Sequence, residues 1–169
     1  MARNLQKIQQ MKEMLETRSP VLKSIQFQTA HQARRSDSDL SDFIEGIWGD
    51  YYQNTPRIQF TQDAFQFFGP KDHTHDMHVV AMIDGQIIGT FLSFPYNLQI
   101  DDKTFKGTTV TGLTTSPEFR GQKISQYLVL TMEECLIINN YDLLTFWLDN
   151  RKNQSGSSYN IYSSNRMRT

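Results

Sequence analysis

The stretch VTGLTTSPEFRGQKIS, residues 110–125, decides the fold of this chain. It begins as a strand, turns at Ser116-Pro117, and continues into an apolar helical pattern at Ile124. A helix that follows a strand after a short turn presents backbone N–H groups that have no acceptor within the helix. We therefore predict that residues 120–125, RGQKIS, form an anion cradle for a pyrophosphate.

The composition indicates one globular domain in a reducing compartment. Of the 169 residues, 38% are hydrophobic, and the formal net charge is −1, which gives no electrostatic case for nucleic acid or an anionic membrane as the main partner. Cys135 is the only cysteine, and the sequence shows neither a signal peptide nor an apolar run of about 18 residues, so we expect a cytoplasmic location. Cys135 lies in the middle of a helical pattern, which favours a core position over a nucleophilic role.

Hydrophobic periodicity predicts helices over residues 3–17, 40–51 and 61–68, and a first strand over residues 21–30. The apolar stripe of the first helix is narrow, so this helix packs on the domain, engages a partner or frays. Asp84-Gly85, flanked by β-branched residues, predicts a hairpin within residues 78–90. A second turn within residues 97–105 leads to the strand over residues 107–114.

A helix over residues 124–138 and an apolar strand over residues 141–148 follow the opening stretch. A strand-helix-strand order requires a crossover and one parallel strand pair. The apolar composition of the last strand predicts that both of its faces are covered.

Three of the four histidines, His73, His75 and His78, lie in the stretch HTHDMH. This spacing invites comparison with the HxHxDH zinc motif of metallo-β-lactamase-like hydrolases, but Asp76 falls one place early. The remaining histidine, His31, cannot complete a dinuclear site. We therefore expect a polar loop and no metal, with metal-dependent hydrolysis as a remote alternative.

The order of elements and the segment SPEFRGQKIS resemble the GCN5-related N-acetyltransferase (GNAT) superfamily, whose segment is of the form P-E-Y-R-G-x-G-I-G. The resemblance covers residues 23–167. It implies an α/β (α+β) fold with a mixed, mostly antiparallel sheet and helices on both faces. The implied organisation is a helical extension over residues 1–20, followed by an acyl-CoA-binding domain over residues 21–169.

In that family the segment binds the pyrophosphate of acetyl-CoA through backbone amides. The resemblance carries this role to the loop residues Arg120, Gly121, Gln122, Lys123, Ile124 and Ser125. Lys123 stands where the family usually has glycine; a lysine can still adopt helical backbone angles, and its ammonium adds charge. N-myristoyltransferases resemble this pattern in carrying a basic residue there, which makes a longer acyl-CoA an alternative donor.

The resemblance also implies where the thioester lies. The amide of Leu113 is expected to bind the acyl carbonyl as the catalytic donor, and Thr114 and Thr115 are expected to hold the pantetheine arm. Tyr162 corresponds to the family's general acid, with Tyr159 as a weaker candidate, and Asn153, which begins the same motif, is expected to bind the cofactor. The acceptor amine would lose its proton through water to a carboxylate such as Glu118 or to a group at a strand end.

The function implied is transfer of an acetyl or other acyl group from acyl-CoA to a primary amine on a small molecule or peptide, without a metal. The family normally continues with two further strands, which this sequence does not show. The chain is then a shortened or degenerate member, or an oligomer or partner chain completes the sheet. The alternative function is a catalytically inactive GNAT-like binding module or a subunit of a larger assembly.

Overall fold

The structure, a computed structural model, describes residues 2–51, 59–69 and 77–146. Within these ranges the elements follow in the order α1 (Ala2–Arg18), β1 (Gln26–Thr29), α2 (Asp37–Tyr51), α3 (Gln62–Phe68), β2 (Val79–Ile83), β3 (Gln86–Ile100), β4 (Lys103–Thr115), α4 (Ile124–Ile138) and β5 (Leu143–Phe146). Two 3₁₀ helices, Pro20–Ser24 and Pro117–Phe119, precede β1 and α4.

The five strands form one sheet in the order β1-β2-β3-β4-β5. The first four strands pair antiparallel, and β5 pairs parallel to β4 from Gly107↔Leu143 to Val110↔Phe146. The chain passes from β4 to β5 through α4, which is the crossover that a parallel pair requires. The predicted mixed, mostly antiparallel sheet is confirmed.

Helices cover both faces of the sheet, and successive side chains of its central strands point alternately into the two resulting cores. In β2, Val79 and Ala81 face the cluster that contains α4, whereas Val80 and Met82 face the cluster that contains α2 and α3. This two-residue alternation is the ordinary geometry of a strand, and hydrophobic residues at every position fit a strand buried on both faces. We refer to these surfaces as the α4 face and the α2 face.

Two local predictions are confirmed in detail. The side chain of Thr61 accepts a hydrogen bond from the N–H of Ala64, so this threonine is the N-cap of α3. Asp84 and Gly85 both have positive φ, +48° and +77°, as a tight two-residue hairpin turn requires. α4 also has the predicted bounds.

The structure differs from the sequence prediction at both ends of the sheet. The predicted strand over residues 21–30 is shorter, because Pro20 begins a 3₁₀ helix and only Gln26–Thr29 pair with β2. At the other edge, Thr145 and Phe146 are exposed, so the described part of β5 is not covered on both faces. The predictions for residues 147–169 lie outside the described residues.

Helix α1 packs against α4, so it joins the core of the domain. Ile8 and Leu15 are buried in the cluster on the α4 face. Lys12 Nζ lies 2.5 Å from the Glu134 carboxylate. Of the alternatives open from the sequence, packing on the domain is therefore the one that the structure shows.

Candidate active site

The register of β4 against β3 is interrupted close to the predicted thioester site. Leu92 pairs with Thr111, but Thr90 pairs with Thr114, so Gly112 and Leu113 together face one residue of β3. Gly112 has φ +61°, a backbone conformation that glycine adopts at little cost. This bulge re-aims the backbone of β4 where the predicted donor Leu113 lies.

The described pairing of β4 with β5 ends before this bulge. Its last pair is Val110↔Phe146. Leu113 and Thr115 are half-buried beyond that point, and Thr115 Oγ1 is buried without a hydrogen-bond partner among the described residues. Leu113 and Thr115 thus lie beyond the last described pair of β4 with β5, and the roles predicted for them in binding the acyl group and the pantetheine arm stay predictions.

A compact loop leads from β4 to α4. The N–H of Ser116 donates to the carbonyl of Ile88 at 2.9 Å, which ties the start of the loop to β3. One 3₁₀ turn, Pro117–Phe119, follows, and then Gly121 and Lys123 adopt positive φ of +80° and +66°. These two residues turn the chain into α4. Lys123 therefore has left-handed backbone angles, and not the helical angles that a lysine was expected to adopt.

The loop and the first turn of α4 offer several groups to an anion. The N–H groups of Ile124, Ser125 and Gln126 precede the first intrahelical bond, which runs from the N–H of Tyr127 to the carbonyl of Lys123 at 3.1 Å. A Cβ at Gly121 would meet nothing within 4 Å, so the backbone there is open to a ligand. These groups fit a pyrophosphate.

The charges of the loop favour the same kind of ligand. Arg120 and Lys123 are exposed. Glu118 is also exposed, and its carboxylate accepts a hydrogen bond from Ser116 Oγ at 3.0 Å. The loop thus carries two cations beside the N-terminus of α4, whose partial positive charge adds to theirs.

Ser19, at the end of α1, supports the loop from outside. Its hydroxyl donates to the carbonyl of Gln122 at 3.0 Å. Gln122 Oε1 is buried and has no hydrogen-bond partner within the described ranges. Sequence reasoning missed this contact because Ser19 and Gln122 are 103 residues apart and no local pattern joins them.

The remaining candidates fall into two groups. Asn153, Tyr159 and Tyr162 lie outside the described residues, so the predicted general acid has no described geometry. Glu118 lies at the pyrophosphate end of the segment, three residues beyond Thr115. The predicted acyl-CoA-binding residues that the structure describes therefore lie between Leu113 and Ser125, and their roles, like those of the proton-transfer groups, stay predictions.

The structure also shows the surroundings of Cys135 and His78, which were considered from the sequence as a nucleophile and as part of a zinc motif. Burial raises the pKa of the Cys135 thiol, and the nearby Glu134 adds to this effect, which opposes thiolate formation. His78 is buried, and its Nδ1 accepts a hydrogen bond from the N–H of Ser93 at 3.0 Å. His73 and His75 lie outside the described residues. In the part of the chain that the structure describes, no group of three or more histidine, cysteine, aspartate or glutamate residues is arranged to hold a metal ion.

None of the described helices is long and apolar enough to cross a membrane. The predicted cytoplasmic location rests on the sequence alone and stays a prediction.

Comparison with known protein families identifies the domain. The family model described as the acetyltransferase (GNAT) domain matches residues 33–147, which is more than half of the chain. This chain belongs to that family. The acetyltransferase domain match spans the bulge of β4, the loop and α4. The sequence matches none of the curated proteins with which it was compared.

Solved structures show the same fold at low sequence identity. The domain is similar to a protein from Clostridium acetobutylicum that is described as a predicted acetyltransferase and was determined with acetyl-CoA, with a TM-score of 0.61 and 16% identity over 86% of this chain and 90% of that chain. It is also similar to an aminoglycoside acetyltransferase from an uncultured soil metagenomic sample (TM-score 0.56, 13% identity, 85% and 88% covered). A third similar structure is glucosamine-6-phosphate N-acetyltransferase from Arabidopsis thaliana (TM-score 0.50, 15% identity, 75% and 83% covered).

Proposed function

We propose that this acetyltransferase domain moves an acetyl group from acetyl-CoA to a primary amine by direct transfer. The observation that carries the proposal is the single segment from Gly112 to Ser125, which joins a strand bulge to a helix N-terminus whose first N–H groups have no acceptor within the helix. Solved relatives include an acetyltransferase determined with acetyl-CoA and acetyltransferases named for amine-containing acceptors. Because Lys123 is basic, as in the N-myristoyltransferase pattern, a longer acyl-CoA is the alternative acyl donor.

At one end of this segment, the backbone would hold the pyrophosphate. The N–H groups of Ile124 and Ser125 point out of the first turn of α4, and Arg120 and Lys123 are exposed beside them. Backbone donors fix the position of a phosphate, and the two side chains add charge that is screened by salt. We assign Gln122 a backbone role in the same loop, because its side-chain Oε1 is buried.

At the other end, the N–H of Leu113 would donate to the thioester carbonyl oxygen. Negative charge grows on that oxygen as an amine attacks, and a donor already in place stabilises it without reorganisation. Removal of one such donor costs about 3 to 4 kcal/mol in comparable enzymes. The backbone of Thr115, two residues further along β4, would bind the pantetheine arm.

Two proton transfers complete the reaction. The attacking amine loses a proton, and we propose that water carries it to a carboxylate such as Glu118 or to a group at a strand end. The departing thiolate gains a proton, for which Tyr162 is the proposed donor, with Tyr159 as the weaker candidate and Asn153 at the start of the same motif.

An oligomer or partner chain that completes the sheet also stays a prediction.

Titration with acetyl-CoA by calorimetry and by thermal unfolding tests whether acetyl-CoA is the acyl donor. A ligand present at 100 times its Kd stabilises a protein by about 2.7 kcal/mol, so binding is readily detected in both measurements. No heat and no shift of the Tm at millimolar acetyl-CoA would contradict the enzyme hypothesis and favour an inactive binding module.

Release of the CoA thiol in the presence of an aminoglycoside, an amino sugar or a lysine-containing peptide then tests transfer. Tyr162→Phe should lower thiol release while the affinity for acetyl-CoA stays nearly constant. Unchanged turnover in this variant removes Tyr162 from the mechanism.

A further inference from the structure

Two buried hydroxyls converge on one carbonyl in the bulge of β4. Thr90 Oγ1 donates to the carbonyl oxygen of Gly112 at 3.0 Å, and Thr114 Oγ1 donates to the same oxygen at 3.2 Å. Thr90 is 0% exposed and Thr114 is 4% exposed. A carbonyl oxygen has two lone pairs, so these two donors use its full accepting capacity.

The register explains why the two hydroxyls meet there. Thr90 and Thr114 are directly opposite one another on β3 and β4, so their side chains leave the sheet on the same face. Val80 pairs with Thr90 on the other side and belongs to the cluster under α2. The carbonyl of Gly112 is therefore held toward the α2 face.

Fixing this carbonyl also fixes the next N–H. The described residues contain no cis peptide bond, so the carbonyl of Gly112 and the N–H of Leu113 are antiparallel across one planar peptide. With the carbonyl held toward the α2 face, the N–H of Leu113 points away from Thr90 and Thr114. Because Thr90 lies on β3, this N–H is also directed away from β3.

We propose that Thr90 and Thr114 are positioning residues that hold the Leu113 N–H in the orientation that binds the acyl carbonyl. This inference rests on the proposed function. The threonines do not touch the acyl group; they act through the peptide between Gly112 and Leu113. A glycine with φ +61° has few steric restraints, so without the two hydroxyls this peptide would sample other orientations.

The carbonyl stretch of bound acetyl-CoA labelled with ¹³C at the thioester carbon tests this role directly. A hydrogen bond to that carbonyl lowers its infrared frequency relative to acetyl-CoA in buffer. We expect the shift in the wild-type protein, a smaller shift in Thr90→Val, and recovery in Thr90→Ser, which keeps the hydroxyl. Thr114→Val is the second variant and should change the frequency in the same direction as Thr90→Val.

Thr108→Val is the matched control. Thr108 is 0% exposed, and its hydroxyl shares a hydrogen bond of 2.7 Å with Ser93 Oγ on the same sheet, away from the Gly112 peptide. The control therefore loses a buried hydroxyl bond as Thr90→Val does, but it should keep the full infrared shift. We also expect the ratio of the acetyl-CoA affinity to the CoA affinity to fall about threefold to tenfold in Thr90→Val and in Thr114→Val, and to stay unchanged in Thr108→Val.

Three results would overturn the inference. One is an infrared shift in Thr90→Val and Thr114→Val equal to that of the wild type. The second is an equal loss in Thr108→Val, which would show a general effect of sheet stability. The third is a wild-type protein that binds acetyl-CoA with no carbonyl shift, which refutes the hydrogen bond from the Leu113 N–H but leaves acetyl-CoA as the bound acyl donor. Failure to bind acetyl-CoA at all is a different result, because it refutes the proposed function together with this inference.

Discussion

Replacing Lys123 separates two effects of placing a lysine in the pyrophosphate loop. Its backbone has φ +66° and ψ 10°, a left-handed conformation that costs a residue with a Cβ about 1 to 2 kcal/mol. Glycine adopts these angles freely but loses about 0.5 to 1 kcal/mol more backbone entropy on folding. Lys123→Gly should therefore stabilise the protein by about 0.5 to 1 kcal/mol, which raises the Tm by about 1 to 4 °C.

The charge of Lys123 acts in the opposite direction on ligand affinity. The residue is exposed, so its ammonium interacts with a phosphate across water and salt screens the attraction. We expect Lys123→Gly to weaken acetyl-CoA binding by about twofold to fivefold at low salt, with a smaller effect at 500 mM salt. Lys123→Ala keeps the Cβ and removes the charge, whereas Lys123→Arg keeps both.

Thermal unfolding and calorimetric titration of the three variants measure the two effects separately. Backbone strain predicts that glycine alone raises the Tm, and charge predicts that arginine alone retains the affinity of the wild type. A gain in Tm for Lys123→Ala equal to that for Lys123→Gly would refute the strain argument. An affinity of Lys123→Arg as weak as that of Lys123→Ala would refute the argument from charge.

Two further substitutions test buried positions of the same domain. Burial raises the pKa of Glu133 from its ordinary 4.5 to about 7, so the folded protein retains a proton that the unfolded chain loses as the pH rises between these values. Glu133→Gln should have the same unfolding free energy as the wild type near pH 4.5, and a larger one at pH 8 by on the order of 2 to 3 kcal/mol. Denaturant titrations at the two pH values measure this, and a difference between the two proteins that does not change with pH would contradict the argument. A Cβ at Gly112, where φ is +61°, would lie 2.9 Å from the Leu92 side chain, so Gly112→Ala should cost about 2 to 4 kcal/mol in urea unfolding. The control Gly46→Ala, in an exposed part of α2 with nothing within 4 Å, should stabilise by up to about 1 kcal/mol, and equal effects at the two glycines would refute the argument from backbone and packing.

Much of the fold follows from local patterns. Thr61 caps α3 because a threonine before a helical pattern has a hydroxyl ready for an unpaired N–H. Asp84-Gly85 joins two strands because both residues tolerate positive φ. The partner of α1 could not be predicted in this way, since a narrow apolar stripe shows that a helix buries one side but does not show which surface covers it.

The candidate site shows the same distinction between features with a local sequence pattern and features that depend on distant residues. The positions of the loop residues and of Leu113 were predicted from a motif that is contiguous in sequence. The role of Thr90 was not, because it depends on the register between β3 and β4 and on a bulge that shifts this register. The left-handed conformation of Lys123 was also missed, since lysine gives no local signal for positive φ.

The strain at Lys123 persists because the residues on both sides of it are held. Ser19 binds the carbonyl of Gln122, immediately before the lysine. On the other side, the Lys123 carbonyl accepts the first hydrogen bond of α4, and Ile124 is 1% exposed in the core. A sparsely populated backbone conformation survives when its surroundings determine it more strongly than its own preference does. Ser19 lies outside the residues matched by the family model, so this chain supports a family loop with a contact from beyond the matched domain.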